Sequence, residues 1–435
     1  MVGLALHNVV MAELWDAGVR GGALDVAAAW KEALLLVAFL FLLWRLRRLP
    51  PLVAADVLAA AYTALFLLYA VLPQSSLGGG ATTHGVLLAV RHDLLPVAGY
   101  AFGRLLGLVW RDSGRLGLLV ACTAAGVALV GLLDAFFVPL QTWRDSGVPG
   151  WYRDQLSLTY RCLSYLPENW IFNTGEESNP IRRLVSTFLS PLATAYVLVV
   201  ALIFLVTRFY RWWAIALSAL LFVALLYTHT RAAVLALAAG LVVLAVVQRR
   251  LLPAVAAGVV VLVSVGFFAA YSTIGPSTSY TAAELACLQK NAHAHPGASA
   301  EPFSTSDASL SSHWRNLRDG IKTVLRHPQG YGLGNAGVVA MRTGVQIKAG
   351  ESTYPELGVE AGLAGALAFV LWNVALVVAL WRREAWLAAA LVAVLLLGLQ
   401  TDVIGIPWIA VVLWAAAGMA LTEEPTGPQN RRMPA

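Results

Sequence analysis

The chain has 435 residues, of which 59% are hydrophobic and only 12% charged, and its mean hydropathy is +0.71. Ordinary soluble domains carry about 45–50% apolar and about 25% charged residues, so a soluble globular enzyme, a disordered chain and a nucleic-acid binder are excluded. The net charge of +6 reflects arginines at membrane edges and not a nucleic-acid footprint. Three cysteines are too few for a disulfide scaffold and have no metal-ligand spacing.

A bilayer core about 30 Å thick needs about 20 apolar residues per helix. Apolar runs occur at 29–46, 52–72, 86–108, 117–138, 184–206, 213–228, 232–248, 253–271, 361–381, 386–400 and 405–421. They predict an all-α polytopic membrane protein of about eleven transmembrane helices, or twelve if residues 1–25 also cross. That first stretch carries His7, Glu13, Asp16 and Arg20 and reads as an amphipathic surface segment. It lacks the basic start of a cleavable signal peptide. The organisation follows: an N-terminal bundle over 1–271 with an outer loop at 139–183, a large and partly helical segment over 272–360, C-terminal spans over 361–421 and a tail over 422–435.

Arginine clusters fall on every second connection: Arg45, Arg47 and Arg48; Arg111 and Arg115; Arg208 and Arg211; Arg249 and Arg250; Arg382 and Arg383; Arg431 and Arg432. Basic short loops mark the cytoplasmic side. The long segments 139–183 and 272–360 then lie outside, with the turn Thr228-His229-Thr230-Arg231. Cys122 falls inside a span and reads as a packed small hydrophobe. Cys162 and Cys287 share the outer side, where an oxidising compartment lets disulfides persist. Few charges fall within spans; Arg91, His92 and Asp93 are the main exception, and they are what a transporter would need.

A segment as long as 272–360 should fold and carry function. Its first part, Ser272 to Ser312, reads as irregular. Trp314, Leu317, Ile321 and Val324 then recur at helical spacing among Arg315, Arg318, Asp319, Lys322 and Arg326. This predicts an amphipathic helix at the membrane surface, with Ser311 or Ser312 as N-cap and His327-Pro328 as its stop. The glycines of Gly330-Tyr331-Gly332-Leu333-Gly334-Asn335 allow tight turns and close approach. Without Gly-Lys-Ser/Thr they are no Walker A loop, and a structural turn is the simpler reading. Glu356 and Glu360 suit a helix's first turns, favoured by the macrodipole. Glu351 stands just outside that helix and is the better candidate for chemistry. Arg231, Arg182 and Arg183 open spans at the outer boundary. They read either as snorkelling anchors or as guanidinium forks for a membrane-embedded diphosphate.

These residues in this order resemble the O-antigen ligase and polymerase superfamily of bacterial envelopes. The matching pieces are Thr230-Arg231-Ala232, then His327 to Asn335, then Glu351-Ser352-Thr353-Tyr354 with Leu357, Val359-Glu360 and Gly362-Leu363. Arg182-Arg183 before Phe188-Leu189-Ser190-Pro191 is a looser piece. The resemblance covers roughly residues 180–385. It implies an inner-membrane glycosyltransferase facing the periplasm, without metal or cofactor. The donor would be a glycan on undecaprenyl diphosphate, with a glycan acceptor, the bilayer as surroundings and room for chain-length or export partners. The ligases have a histidine where this chain has Glu351, and a loop arginine near His313, two residues from Arg315. The form here is closer to the chain polymerases. By this resemblance Glu351 and His313 are the catalytic candidates. Arg231, Arg182, Arg183 and Arg315 are the diphosphate ligands, and Gly332, Gly334, Asn335 and Tyr354 form the substrate loop. A ligase and a transporter or flippase of lipid-linked sugars are the alternatives.

Overall fold

A computed structural model describes residues 1–110, 112–158, 160, 162–172, 180–294 and 308–422. Arg111, Arg431 and Arg432 lie outside the described residues. The chain begins with α1 (Val2–Asp16), α2 (Gly21–Ala28), α3 (Trp30–Leu46), α4 (Ala54–Val71), α5 (Thr83–Leu106) and α6 (Ser113–Phe137). Short helices α7 (Leu140–Arg144) and α8 (Val148–Gly150) follow, then α9 (Pro191–Val206), α10 (Trp212–Tyr227), α11 (Arg231–Gln248) and α12 (Leu251–Ile274). The large segment holds α13 (Ala282–Ala294), α14 (Ala308–Arg326) and α15 (Gly337–Thr343). The chain then forms α16 (Thr353–Leu380), α17 (Ala385–Leu397) and α18 (Pro407–Thr422). The described sheet is two short antiparallel strands, β1 (Ile171–Phe172) and β2 (Ile181–Arg182).

Each of the eleven apolar runs coincides with a helix. Six stretches among the described residues are long and apolar enough to cross a membrane: Gly21–Leu46, Ala54–Val71, Ser113–Phe137, Arg231–Gln248, Leu251–Ile274 and Thr353–Leu380. Helices α9, α10, α17 and α18 are apolar but shorter. The fifth run yields a shorter helix than its length suggests, because residues 184–190 are not α-helical. Ser190 caps α9 by accepting from the Ala193 N–H, and Pro191 takes the first turn, where its missing N–H costs nothing. Residues 1–25 form α1 and α2, whose buried Met11, Ala12 and Leu24 pack against Leu140, Trp151 and Trp170.

Small residues set the closest approaches. Gly99 and Gly103 of α5, with Gly107 just past its end, form one stripe, where an added Cβ would strike the α18 backbone at Ala410, Ala415 and Met419. Association inside a bilayer relies on such backbone proximity, because burial of apolar area gives no drive there. Leu34, Val37 and Phe41 of α3 and Leu262 of α12 stay exposed, as lipid-facing side chains should.

Three expectations are corrected. The stretch Ser272 to Ser312 is not wholly irregular: α13 starts with a capping box, in which Thr281 Oγ1 accepts from the Glu284 N–H and Glu284 Oε2 accepts from the Thr281 N–H at 2.8 Å. Helix α14 begins at Ala308, before Ser311 and Ser312, and ends at Arg326 ahead of His327-Pro328. Cys122 is exposed on α6, so it is not a packed core residue.

Cys162 and Cys287 are disulfide-bonded with Cα atoms 5.3 Å apart. Arg144 pairs with Glu284 at 2.6 Å, and Ile181 bridges to Ser277. Segments 139–183 and 272–360 therefore share one side. In a Cys122→Ser background, single cysteines at Lys348 and at Arg249 should label from opposite faces of sealed vesicles. Equal labelling from one face would overturn the topology.

Candidate functional site

Glu351 precedes α16 with φ +70°, a left-handed conformation that costs a non-glycine residue about 1 kcal/mol or more. Its surroundings hold it there. Ser352 Oγ and the Thr353 N–H both donate to Gly398 O. Thr353 Oγ1 donates to Thr401 O and accepts from the Val403 N–H. The half-exposed Glu351 carboxylate reaches α14, where Asn316 Nδ2 donates to Oε2 at 2.9 Å and His313 Nδ1 lies 3.0 Å from the same oxygen. His313 and Asn316, and not arginines, hold the Glu351 carboxyl below its usual range, with partial burial opposing them. Helix α14 is brought close by glycines: an added Cβ on Gly320 would strike Pro355, and one on Gly358 would strike Val324. The two catalytic candidates thus meet.

The arginines divide. Arg183 donates from Nε to Thr228 O at 2.8 Å, from Nη1 to Asn169 O at 3.0 Å and from Nη2 to Thr230 Oγ1 at 3.1 Å. It therefore grips the turn that carries Arg231, and the two cations lie within electrostatic reach of each other. Burial pushes the Arg183 guanidinium down to about 10, with Tyr271 and Tyr196 opposing and Arg231 adding to the fall. His229, between Thr228 and Thr230, is buried and stacks on Tyr271 with ring centroids 4.3 Å apart. Burial, then Arg183 and Arg231, pushes its imidazole down to about 2, so it adds no charge. Two guanidiniums within reach of each other are a candidate anion site.

Arg182 is not part of it. Its side chain is 2% exposed and is taken up by Asp134 Oδ2 at 2.7 Å, Asp134 O at 3.1 Å and Val138 O at 2.5 Å. Both residues of β2 are buried, Ile181 as well as Arg182. Arg315 is exposed on α14, away from the turn of Arg231 in sequence and in element.

The glycine loop is a packing device. Gly332 (φ +93°) admits Gln74, where a Cβ would collide with Oε1. The Tyr331 and Gly332 N–H groups donate to Val359 O and Glu360 O, carbonyls freed where α16 breaks at Ala361 and Gly362. Gly334 N donates to Glu360 Oε1 at 2.8 Å. Asn335 is fully buried, donating to Tyr331 O and Gly332 O and accepting from the Gly80 N–H. The Tyr354 hydroxyl donates to Leu395 O at 2.7 Å. None of these four polar groups is open to a substrate through those bonds.

Glu356 and Glu360 are likewise not solvated first-turn carboxylates. They are buried beside His92, Asp93 and Asp402 around a small enclosed cavity. His92 Nδ1 lies 2.8 Å from Asp93 Oδ1 and its Nε2 2.7 Å from Asp402 Oδ2. His92 and Asp93 stood out in the sequence as charges within a span, but Asp402, 310 residues from His92, carried no local signal that it joins them. Tyr196, whose hydroxyl is 2.5 Å from Thr401 Oγ1, lies within electrostatic reach of both Arg183 and Asp402. It links the arginine turn to the loop that holds Thr353. Among the described residues, no three His, Cys, Asp or Glu side chains form a metal-ligating group.

This geometry falls largely within one matched segment. Residues 216–370 match a family model described as O-antigen ligase. Over those residues, about a third of its length, the chain is similar to the O-antigen ligase family. The match contains Arg231, His313 and Glu351 and bears out the resemblance seen in the sequence. No curated protein matches the chain. The O-antigen ligase family works on lipid-linked glycans within a membrane, and the apolar helices agree with a multi-pass membrane protein.

Proposed function

We propose that the protein is a polymerase. It joins glycan repeat units carried on undecaprenyl diphosphate, at the periplasmic face of the bacterial inner membrane, by metal-independent inverting transfer. The observation that carries this reading is the pairing of Glu351 with His313 and Asn316 on a loop beside apolar spans, within the segment similar to the O-antigen ligase family. An acceptor hydroxyl gives its proton to Glu351 as its oxygen attacks the anomeric carbon. The bond from that carbon to the diphosphate oxygen breaks, and the electron pair leaves with the diphosphate. Arg231 and Arg183 stabilise the charge that develops there.

Purified protein supplied with lipid-linked oligosaccharide should build longer lipid-linked chains. Transfer only to a lipid A-core acceptor would make it a ligase. A transporter is the second reading, favoured by the buried His92, Asp93, Asp402, Glu356 and Glu360 beside a broken helix. Movement of lipid-linked sugar across vesicles without chain growth would establish it.

Arg231→Lys should reduce transfer far more than a like-charge swap at a solvated surface, because lysine keeps the charge but loses the bidentate fork. Full activity of both Arg231→Lys and Arg231→Ala would make the residue a membrane-edge anchor. Initial rates at saturating donor decide this.

A further inference from the structure

A second group of cations stands where α3, α5 and α15 meet. Lys31 opens α3 and is buried; its Nζ donates to Ala28 O at 2.8 Å and lies 3.2 Å from His7 Nε2 and 3.5 Å from Glu32 Oε1. Arg91, on α5, meets Glu32 through Nε at 2.6 Å. Its two terminal nitrogens have no hydrogen-bond partner among the described residues. Arg342, on α15, is half-buried and has no hydrogen bond or ion pair among the described residues. All three cations lie within electrostatic reach of one another, and Asp25 is within reach of Arg342. Burial, with Arg91 next, holds the Arg342 guanidinium below the usual arginine range.

Three cations against Glu32 and Asp25 leave the group short of negative charge, and like charges so placed repel. The rim is apolar: Leu34 on α3, Leu87 on α5, and Val338 and Met341 on α15 are exposed at 60%, 63%, 43% and 45%. Cations with free forks inside an apolar rim match an amphiphile with an anionic head. Phosphoryl oxygens accept from guanidinium forks in pairs, and a buried ammonium nearby adds positive charge. We propose that Arg91 and Arg342, with the buried Lys31 charge behind them, form a second anion site, which seats the phosphoryl headgroup of a membrane lipid with its chains along Leu34 and Leu87. It involves none of the residues of the Arg183–Arg231 turn. If the polymerase reading holds, on which this last step rests, the seat belongs to the lipid that carries the acceptor glycan, since two anionic lipids must then meet in one site.

The test uses the full-length protein in a neutral detergent with phosphatidic acid, or with inorganic diphosphate, as probe. A ligand that binds only the folded state raises its unfolding temperature. Phosphatidic acid should stabilise the wild type, and Arg342→Gln and Arg91→Gln should each weaken its binding at least about tenfold, as expected for a lost charge-assisted bond. Arg183→Gln should keep the response. Without lipid, Arg342→Gln should be at least as stable as the wild type, because it relieves repulsion and breaks no hydrogen bond. Arg342→Lys, which keeps the charge, covers the case in which Gln at that position does not fold, and should retain part of the response. Equal stabilisation by inorganic diphosphate would overturn the lipid assignment. Equal lipid binding by the Arg91 and Arg342 variants would overturn the site. In the transfer assay, Arg342→Gln should raise KM for the acceptor with kcat little changed. Lost lipid binding with an unchanged KM would sink the acceptor role alone, and an inactive wild type would sink the polymerase reading while leaving the binding result standing.

Discussion

Glu351→Gln should lower the transfer rate by about 10²–10⁴-fold, the usual range for a general base, while expression and donor binding stay near normal. Glutamine keeps the shape and one acceptor oxygen, so Asn316 Nδ2 keeps a partner, but it cannot take a proton. The loss falls on a step made only in the transition state and appears in kcat. A twofold loss would be too small for the role. The pH profile gives a second check. His313 and Asn316 hold the Glu351 carboxyl below its usual range, so the base is ionised at neutral pH, and the rate should fall only as pH drops below the ordinary glutamate range. A rate already falling near neutrality would point to His313, and so would an active Glu351→Gln beside an inactive, well-expressed His313→Ala. Asn316→Ala removes one of the two groups that favour the carboxylate. It should move the acid limb upward in pH, which a purely structural role for Asn316 would not do.

The spans were legible because each is a local property: about 20 apolar residues in a row need no partner to be recognised. Helix α14 was legible for a similar reason, as Leu317 and Val324 repeat at helical spacing and both turn inward, Val324 against Gly358. Glu351 and His313, singled out as candidates, do meet, but Asn316 was not singled out, since nothing in Trp314-Arg315-Asn316 marks which side of the helix faces the carboxylate. The capping box of Thr281 and Glu284 was readable and was obscured by the Ser-, Ala- and Pro-rich composition around it. The glycines at 99, 103 and 107 also carried a usable signal, a row at spacing four that marks a close helix contact. The buried acids could not be read. Glu356 and Glu360 occupy first-turn positions that the macrodipole explains, and the residues that change their meaning are on α5 and in the loop before α18. Pairings between distant segments depend on how helices rotate against one another, which is fixed by packing and not by any one helix's sequence.

Arg182 and Arg183 are adjacent in sequence, yet they should fail in different ways, and Asp134 exposes the difference. The Arg182 guanidinium is enclosed at 2% exposure, with Asp134 as its counter-ion and Trp143 Nε1 donating to the other carboxylate oxygen at 2.6 Å. Asp134→Ala leaves a buried cation without its partner, a change that typically costs about 3–5 kcal/mol. Thermal unfolding of the purified protein should show that loss, and yield should fall with it. Activity per folded molecule should survive, because this pair secures β2 to the end of α6 and presents no donor to a substrate. Asp134→Ala combined with Arg182→Met should recover much of the loss, since a buried pair replaced by apolar side chains of similar volume is often neutral. Arg183→Met should do the reverse: it keeps more stability than Asp134→Ala but loses transfer, because its fork fixes the Thr228–Thr230 turn that carries Arg231. If Arg182→Met alone cut transfer while leaving stability intact, the anion site would have to be rebuilt around Arg182.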